Sequence, residues 1–341
     1  MNNKKTIWLD ITNVPHVNFL LPIINKYSDK YNFIYSIRDF AETKGLFEKR
    51  IKKPYFEIGK HLGGNKFKKI YGSFIRIFEL QKQIPAFDVK ISIGGDASSI
   101  VAKLRGKLSI TFDDNEKAPN WRYSPFSDFA FWPAAISKTV LKKQRFKDNK
   151  LYQYNGYKED MYLADYVPDP NFLDILPFTD FVVVRPENIS ANYVEGNNSI
   201  VPELLKRLEE LNYNILYLPR YDHDRNYALG VKNIFIPNGA INGMDACYYS
   251  KAILTGAGTM AREAACLGVP SVSFFAGDTL LTVDSKLISE SKMYFSRNVD
   301  NIIEYLKYAK RLTANLDRCK TVQNEILDKL DEILNNYFKT K

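Results

Sequence analysis

Short apolar runs alternate along the chain with longer segments whose apolar positions recur every three or four residues. "KTIWLDI" at 5–11 is a strand-like run, and Val17, Leu20, Leu21 and Ile24 after it have helical spacing. "YNFIYSI" at 31–37 predicts a second strand, followed by a short helical stretch near 41–49 and the strand-like "PYFEI". A long amphipathic segment covers about 66–83, then come "DVKISIGG", the helical "DASSIVAKLRG" and the strand "LSITF". The pattern restarts near 180 with "DFVVVRP", a helix around 198–211, "YNILYLP", "NIFIP", a helix around 242–249, "KAILTG", a helix around 259–267 and "PSVSF". Strands alternating with helices of ten to fifteen residues imply parallel sheets wrapped by helices.

Between the two series lies "YVPDPNFLDILPF" (166–178), which has three prolines and little periodicity. Pro168 and Pro170 favour extended backbone before them, so this stretch reads as the interdomain linker. The expected architecture is α/β: a doubly wound domain over 1–165 and a second over 166–341, facing one another across a cleft. The last amphipathic stretch, about 315–338, could pack back on the first domain. Ligands of open α/β sheets bind at the carboxyl ends of strands. Chemistry is therefore expected at four turns: Asp10–Val17, Gly94–Ser99, Arg185–Ala191 and Thr255–Glu263.

Composition narrows the function classes. The chain has 341 residues, 45% hydrophobic and 26% charged, which suits two folded domains rather than a disordered chain. The lysines of "MNNKKTIWLD" lead directly into a strand, with no apolar signal core, and no apolar run approaches a membrane span. A cytoplasmic protein is expected. Cys247, Cys266 and Cys319 have no metal-type spacing and read as reduced packing residues. The net charge of +9 fits a lysine-rich surface, or attraction to an anionic substrate, an anionic membrane or nucleic acid. No RNP motif, zinc knuckle or strong helix-turn-helix signal is present, which ranks nucleic acid last.

The most informative turn is "LTGAGTMAREAACLGVPSVSF" (254–274). Gly256 and Gly258 let a ligand approach the backbone. The N–H groups of Gly258, Thr259 and Met260 at the helix start suit a phosphate, and Glu263 one turn later could accept ribose hydroxyls. The same residues also suit an ordinary helix start with an early Glu. The turn is neither a Walker loop, lacking Gly-Lys-Ser/Thr, nor a G-x-G-x-x-G fingerprint, because Ala261 takes the third glycine position.

This segment resembles the nucleotide-binding turn of GT-B-type enzymes, the group of many sugar-nucleotide glycosyltransferases and the UDP-N-acetylglucosamine 2-epimerases. The matching residues are Thr255, Gly258, Glu263-Ala264, Leu267-Gly268 and Pro270; Ala257 and Thr259 replace the epimerases' Ser and Gly. The resemblance implies a GT-B-like fold and a UDP-linked donor. Ala257, Gly258 and Thr259 would meet the diphosphate, Glu263 the ribose, and the backbone at Ala240 and Ile241 the base. "ISIGGDASSIVA" is similar to the epimerase His-Gly-Asp-Thr strand end, with Asp96 near the reacting sugar. In "VVVRPENIS", Arg185, Glu187 and Asn188 match, but Val184 stands where the epimerases carry a catalytic histidine, which argues against 2-epimerase chemistry. "DITNVPHVNFLLP" resembles the Gly-His loop of inverting transferases acting on lipid-linked sugars, with His16 at the histidine. As a set, these motifs look most like domain-of-unknown-function family 354, which is considered GT-B-like.

Each candidate has a structural alternative. His16 suits a general base oriented by Asp10 and Asn13, or it is a loop or cap histidine. Asp96 is an acid/base group or an N-cap. Asp113, Asp114 and Glu116 in "FDDNEKA" touch the sugar or form a solvated turn. Arg185 neutralises the departing diphosphate, with Arg220 a weaker second choice, or Arg185 pairs with Glu187. Asp222-His223-Asp224 reads as a polar loop rather than a metal site, so no metal is expected and no cofactor beyond the nucleotide sugar as substrate. In "KFKKIYGSFIRIFELQK", Phe67, Ile70, Tyr71, Phe74, Ile75 and Phe78 form one helical stripe flanked by Lys66, Lys68, Lys69 and Arg76. The stripe faces the core or an anionic bilayer. The expected function is glycosyl transfer from a nucleotide sugar to a saccharide or lipid-linked acceptor in polysaccharide or glycoconjugate synthesis. A UDP-sugar epimerase or hydrolase and a non-catalytic nucleotide-sugar-binding protein are the alternatives.

Overall fold

A computed structural model describes residues 4–39, 43–60, 66–187, 199–239 and 241–340. The chain divides into two compact units, 1–165 with 317–341, and 166–316. The first unit runs β1 (Thr6–Ile11), α1 (Val14–Tyr27), β2 (Asn32–Asp39), α2 (Thr43–Arg50), β3 (Phe56–Lys60), α3 (Lys66–Gln83), β4 (Val89–Ile93), α4 (Asp96–Leu104), β5 (Leu108–Phe112), β6 (Phe129–Pro133), α5 (Lys138–Lys143), β7 (Leu151–Tyr154) and α6 (Asp160–Leu163). Its seven strands form one sheet in the order β3-β2-β1-β4-β5-β6-β7, and every pair is parallel. β4 and β5 are buried along their whole length, as central parallel strands covered on both faces must be.

The second unit runs β8 (Val182–Arg185), α7 (Val201–Glu210), β9 (Ile215–Tyr217), β10 (Ile234–Phe235), α8 (Gly243–Tyr249), β11 (Ala252–Thr255), α9 (Gly258–Cys266), β12 (Ser271–Ser273), α10 (Thr282–Ser289), β13 (Tyr294–Phe295) and α11 (Val299–Tyr308). Its parallel sheet has the order β10-β9-β8-β11-β12-β13. Val182, Val184, Leu204, Leu208, Ile215, Tyr217, Leu254 and Val272 share its core. Both sheets reverse strand order once, at β1/β4 and at β8/β11, and those two points are where ligands of such sheets bind.

The final helix, α12 (Leu316–Lys339), groups from Asp317 onward with the first unit. It buries Val322, Ile326, Leu330 and Leu334. Tyr27 donates to the Leu327 carbonyl at 3.2 Å, Tyr152 to Glu325 at 3.0 Å, and Arg318 pairs with Asp160 at 2.6 Å. The 166–178 stretch docks on α8: the Tyr166 hydroxyl donates to Asp245 at 2.5 Å and Phe172 stacks on Tyr249.

Helix α3 departs from the core-facing expectation. Tyr71, Phe74 and Phe78 are 66, 67 and 70% exposed, while Arg76 and Leu80 on the opposite side are buried. The Arg76 guanidinium makes two bonds to Asp10, at 2.5 and 3.2 Å, and its Nε donates to the Ile58 carbonyl. Satisfying the fully buried Asp10 fixes the rotation of the helix and turns the aromatic stripe outward. Phe67, Ile70, Lys66, Lys68 and Lys69 belong to α3, but their side chains fall outside the description.

Candidate functional site

In the first unit the switch point lies after Ile11 and Ile93. Asn13 accepts the Val14 N–H at 2.9 Å and starts α1, which puts His16 in the first turn. The Thr12 N–H and hydroxyl both face His16 Nδ1 at 3.4 Å. A backbone N–H can only donate, so Nδ1 accepts and the ring proton sits on Nε2. Burial and the positive charges of Lys158 and Arg38 push His16 down to about 3. At neutral pH it is an uncharged ring whose Nε2 carries the proton, so it is a weak base and can donate a hydrogen bond.

Asp96 opens α4 behind Gly94 and Gly95, which turn the chain with φ of +58° and +94°, conformations that favour glycine. Asp96 accepts the N–H of Ala97 at 3.0 Å and the Ser73 hydroxyl at 3.3 Å; the N-cap position itself is Gly95. After the next strand, Asp114 and Glu116 are buried rather than solvated. Asp114 is buried against Lys158 at 2.9 Å. Asp113 accepts the N–H groups of Asp114 and Asn115 at 2.8 and 3.0 Å and the Tyr123 hydroxyl at 2.7 Å. Burial, with the neighbouring Asp114 charge, raises Asp113 to about 6. A Cβ placed on Gly94 would lie 3.4 Å from Asp113 Oδ2, so Asp113 and Asp96 flank one glycine turn. Asp10 lies beneath: burial alone would raise its carboxyl, but Arg76, Ser36 and Ser98 together hold it below its ordinary value.

In the second unit Thr255 pairs in register with Arg185. The Ala257 N–H donates to Thr255 Oγ1 at 2.8 Å, which shapes the bend into α9. Gly256 packs against the exit of the neighbouring strand β8: a Cβ there would sit 2.5 Å from Glu187 Cα. Ala257 takes the N-cap position with extended backbone and no side-chain cap bond. The first-turn N–H groups, those of Gly258, Thr259 and Met260, have no intrahelical acceptor. Arg262 lies one turn on, buried, and pairs with Asp284 at 2.9 Å. One of its nitrogens would be 3.0 Å from a Cβ on Gly258, and another faces Thr259 Oγ1 at 3.5 Å. Glu263 is buried, and Glu263, Asp245 and Arg185 all act on the Cys247 thiol, which burial raises well above its ordinary range. Arg185 and Glu263 thus share one neighbourhood beside α8 and α9. Glu187 takes Arg297 at 3.2 Å, with the Ser199 hydroxyl and the Ile200 N–H.

Ile241 is half-buried beside Asn242, the N-cap of α8. Ala240 and Asn188 lie outside the described residues. Asp224 accepts the N–H groups of Arg220 and Tyr221, both at 2.9 Å, and the exposed His223 stacks on Tyr221. Among the described residues no group of three His, Cys, Asp or Glu could hold a metal ion, and no helix is long and apolar enough to cross a membrane. Arg262, Asp284 and Arg297 belong to no motif legible in the sequence. The one available signal was Arg262 four residues after Gly258, on the same side of the helix.

The geometry can be set beside known proteins. The UDP-GlcNAc 2-epimerase of Methanocaldococcus jannaschii, solved in complex with UDP-GlcNAc and UDP, matches with a TM-score of 0.70 at 17% identity, covering 96% of this chain and 99% of that one. The glycotransferase of kitacinnamycin matches with a TM-score of 0.62 at 9% identity, covering 98 and 99%. These likenesses establish a GT-B-like fold with two Rossmann-like units. The uncharacterized protein MJ0665 of M. jannaschii is 28% identical over 318 residues, 88% of this chain and 90% of that protein. With residues 5–339 matched, the chain belongs to the family described as protein of unknown function (DUF354).

Proposed function

We propose that this chain is a glycosyltransferase that uses a nucleotide sugar, UDP-linked, and passes the sugar to a saccharide or lipid-linked acceptor. The observation that carries the reading is the β11–α9 turn at a strand-order switch point. It combines a helix start without a side-chain cap, the two glycines and a buried Arg262 alongside. Diphosphate recognition uses N–H donors of that kind, and Arg262, held by Asp284, adds guanidinium donors beside them. In this reading Ala257, Gly258, Thr259 and Met260 hold the diphosphate, with Arg262 adding hydrogen-bond donors and Arg185 balancing its charge. Glu263 takes the ribose, and the backbone at Ala240 and Ile241 faces the base. In the first unit the acceptor hydroxyl loses its proton to Asp113 or, as a second choice, Asp96, and attacks the anomeric carbon as the bond to the diphosphate breaks. His16 donates a hydrogen bond through Nε2 to the sugar or acceptor. The M. jannaschii epimerase binds UDP-GlcNAc and UDP, and the kitacinnamycin protein is a glycotransferase; their shared fold supports a nucleotide-sugar role here.

Thermal stability across a nucleotide panel tests the reading. A ligand at 100 times its Kd adds about 2.7 kcal/mol, so UDP should raise Tm in the wild type and much less in Glu263→Ala or Arg262→Ala. No shift with any nucleotide sugar or diphosphate would reject it. Product analysis with UDP-sugars then separates the chemistry: acceptor-dependent UDP release supports transfer. Acceptor-independent release or an inverted sugar would favour the hydrolase or epimerase reading, which the fully buried, apolar Val184 disfavours, and binding without turnover would favour a sensor.

A further inference from the structure

The outer face of α3 is unaccounted for by nucleotide-sugar chemistry. Tyr71, Phe74, Ile75 and Phe78 occur at helical spacing, and all four are exposed, the three rings at about two-thirds. A groove of about 510 Å³ runs along this face, lined by Phe74, Ile75, Phe78, Glu79, Lys82 and Gln83. Isolated exposed apolar residues are ordinary, whereas a contiguous row of large ones marks a contact surface.

Charge selects the occupant. Between Thr43 and Gln83, the start of α2 and the end of α3, the sequence has eleven basic and three acidic residues, a net +8. The whole chain carries +9, so the remaining residues contribute only +1. A strongly cationic segment bearing a row of exposed aromatic side chains fits an anionic lipid surface: the charges attract and the rings insert at the headgroup boundary. A second copy of the chain fits poorly, because a two-fold interface sets a patch against itself and would bring two copies of this cationic segment together. The helix also links this face to the acceptor side. Its inner residues Ser73 and Arg76 bond Asp96 and Asp10, one turn or less from Phe74.

We infer that the α3 face docks on anionic lipid bilayers and brings a membrane-embedded acceptor to the first unit. The docking itself does not rest on the nucleotide-sugar reading, since it can be measured without nucleotide. Vesicle co-sedimentation tests it, comparing phosphatidylcholine alone with phosphatidylcholine containing roughly one-third phosphatidylglycerol. Wild type should bind the anionic vesicles at least about tenfold more tightly than the neutral ones. Raising salt to about 1 M should weaken that binding. Phe74→Ser with Phe78→Ser should lose about tenfold or more with an unchanged circular dichroism spectrum and melting profile. Lys82→Glu should weaken binding while leaving the rings in place. Equal, weak binding to both vesicle types would overturn the inference. So would a wild-type dimer that the double variant converts to monomer without any vesicle binding.

Discussion

Asp113 is the carboxylate whose surroundings suit proton transfer near neutrality. Burial raises it to about 6, while its two backbone bonds and Tyr123 hold it in place. As the base it must be ionised, so kcat/KM should rise with pH through about 6 and level off above. Asp113→Asn should lower the rate by about 10²–10⁴-fold and remove that limb; an unchanged profile would dismiss Asp113. Lys90 makes a contrasting case. Its ammonium is fully buried on β4, donates to Ser99 at 2.7 Å, and burial pushes it down to about 7. The unfolded chain therefore holds more protons than the native one between about 7 and the ordinary lysine value, and stability should climb with pH across that window. Lys90→Met should flatten the climb, as read from denaturant midpoints at several pH values. Gly256 is limited by space: with Glu187 Cα 2.5 Å from any added Cβ, Gly256→Ala should cost about 1–3 kcal/mol and weaken nucleotide binding together with stability.

Helices and strands were legible where the apolar period was long. The expected helices at 242–249, 259–267 and 315–338 differ from α8, α9 and α12 by at most one residue at each end. β6, β7 and β13 went unread because runs as short as "FAFWP" and "LYQY" have no measurable period. For α3 the period is legible but leaves its direction open between core and bilayer. Which way an amphipathic helix faces depends on partners distant in sequence, here Asp10, 66 positions before Arg76. The same holds at the sites. Gly258, Thr259 and Glu263 lie close in sequence and read as one candidate motif, whereas the Arg262–Asp284 pair spans 22 positions and Asp113's enclosure depends on Tyr123. For α12, the buried row Val322, Ile326, Leu330 and Leu334 forms one continuous contact. Leu330→Ala should destabilise the first unit by about 2–5 kcal/mol, while the exposed Leu316→Ala should shift stability by less than about 0.5 kcal/mol; comparable losses would mean that α12 is not integral to that unit.

Taken together, the chain carries two Rossmann-like sheets, each with one strand-order reversal and with candidate chemistry at it. The first unit offers carboxylates and a neutral histidine, and the second offers N–H donors, guanidinium groups and a buried glutamate. That division of chemistry suits a reaction with two substrates, an acceptor to be deprotonated and a donor whose leaving group is anionic. Charge is also unevenly distributed, with nearly the whole excess between Thr43 and Gln83. Association with any anionic partner should therefore be steeply salt-dependent, and Lys-to-Glu changes in that segment should alter it far more than the same changes elsewhere.

The ownership of α12 has a consequence for how the protein is made. The first unit emerges from the ribosome early, yet the helix that covers Tyr27 and Tyr152 is translated only after the second unit, about 150 positions later. At roughly 5–20 residues per second this leaves an interval on the order of ten seconds. Throughout it the nascent first unit exposes the apolar surface that Val322, Ile326 and Leu330 will cover. The second unit can complete its own core in that time, so the domain synthesised first should be the last to finish folding. A nascent-chain arrest series should show protease resistance of residues 166–316 before that of 1–165, and chaperones should engage the unfinished first unit in between.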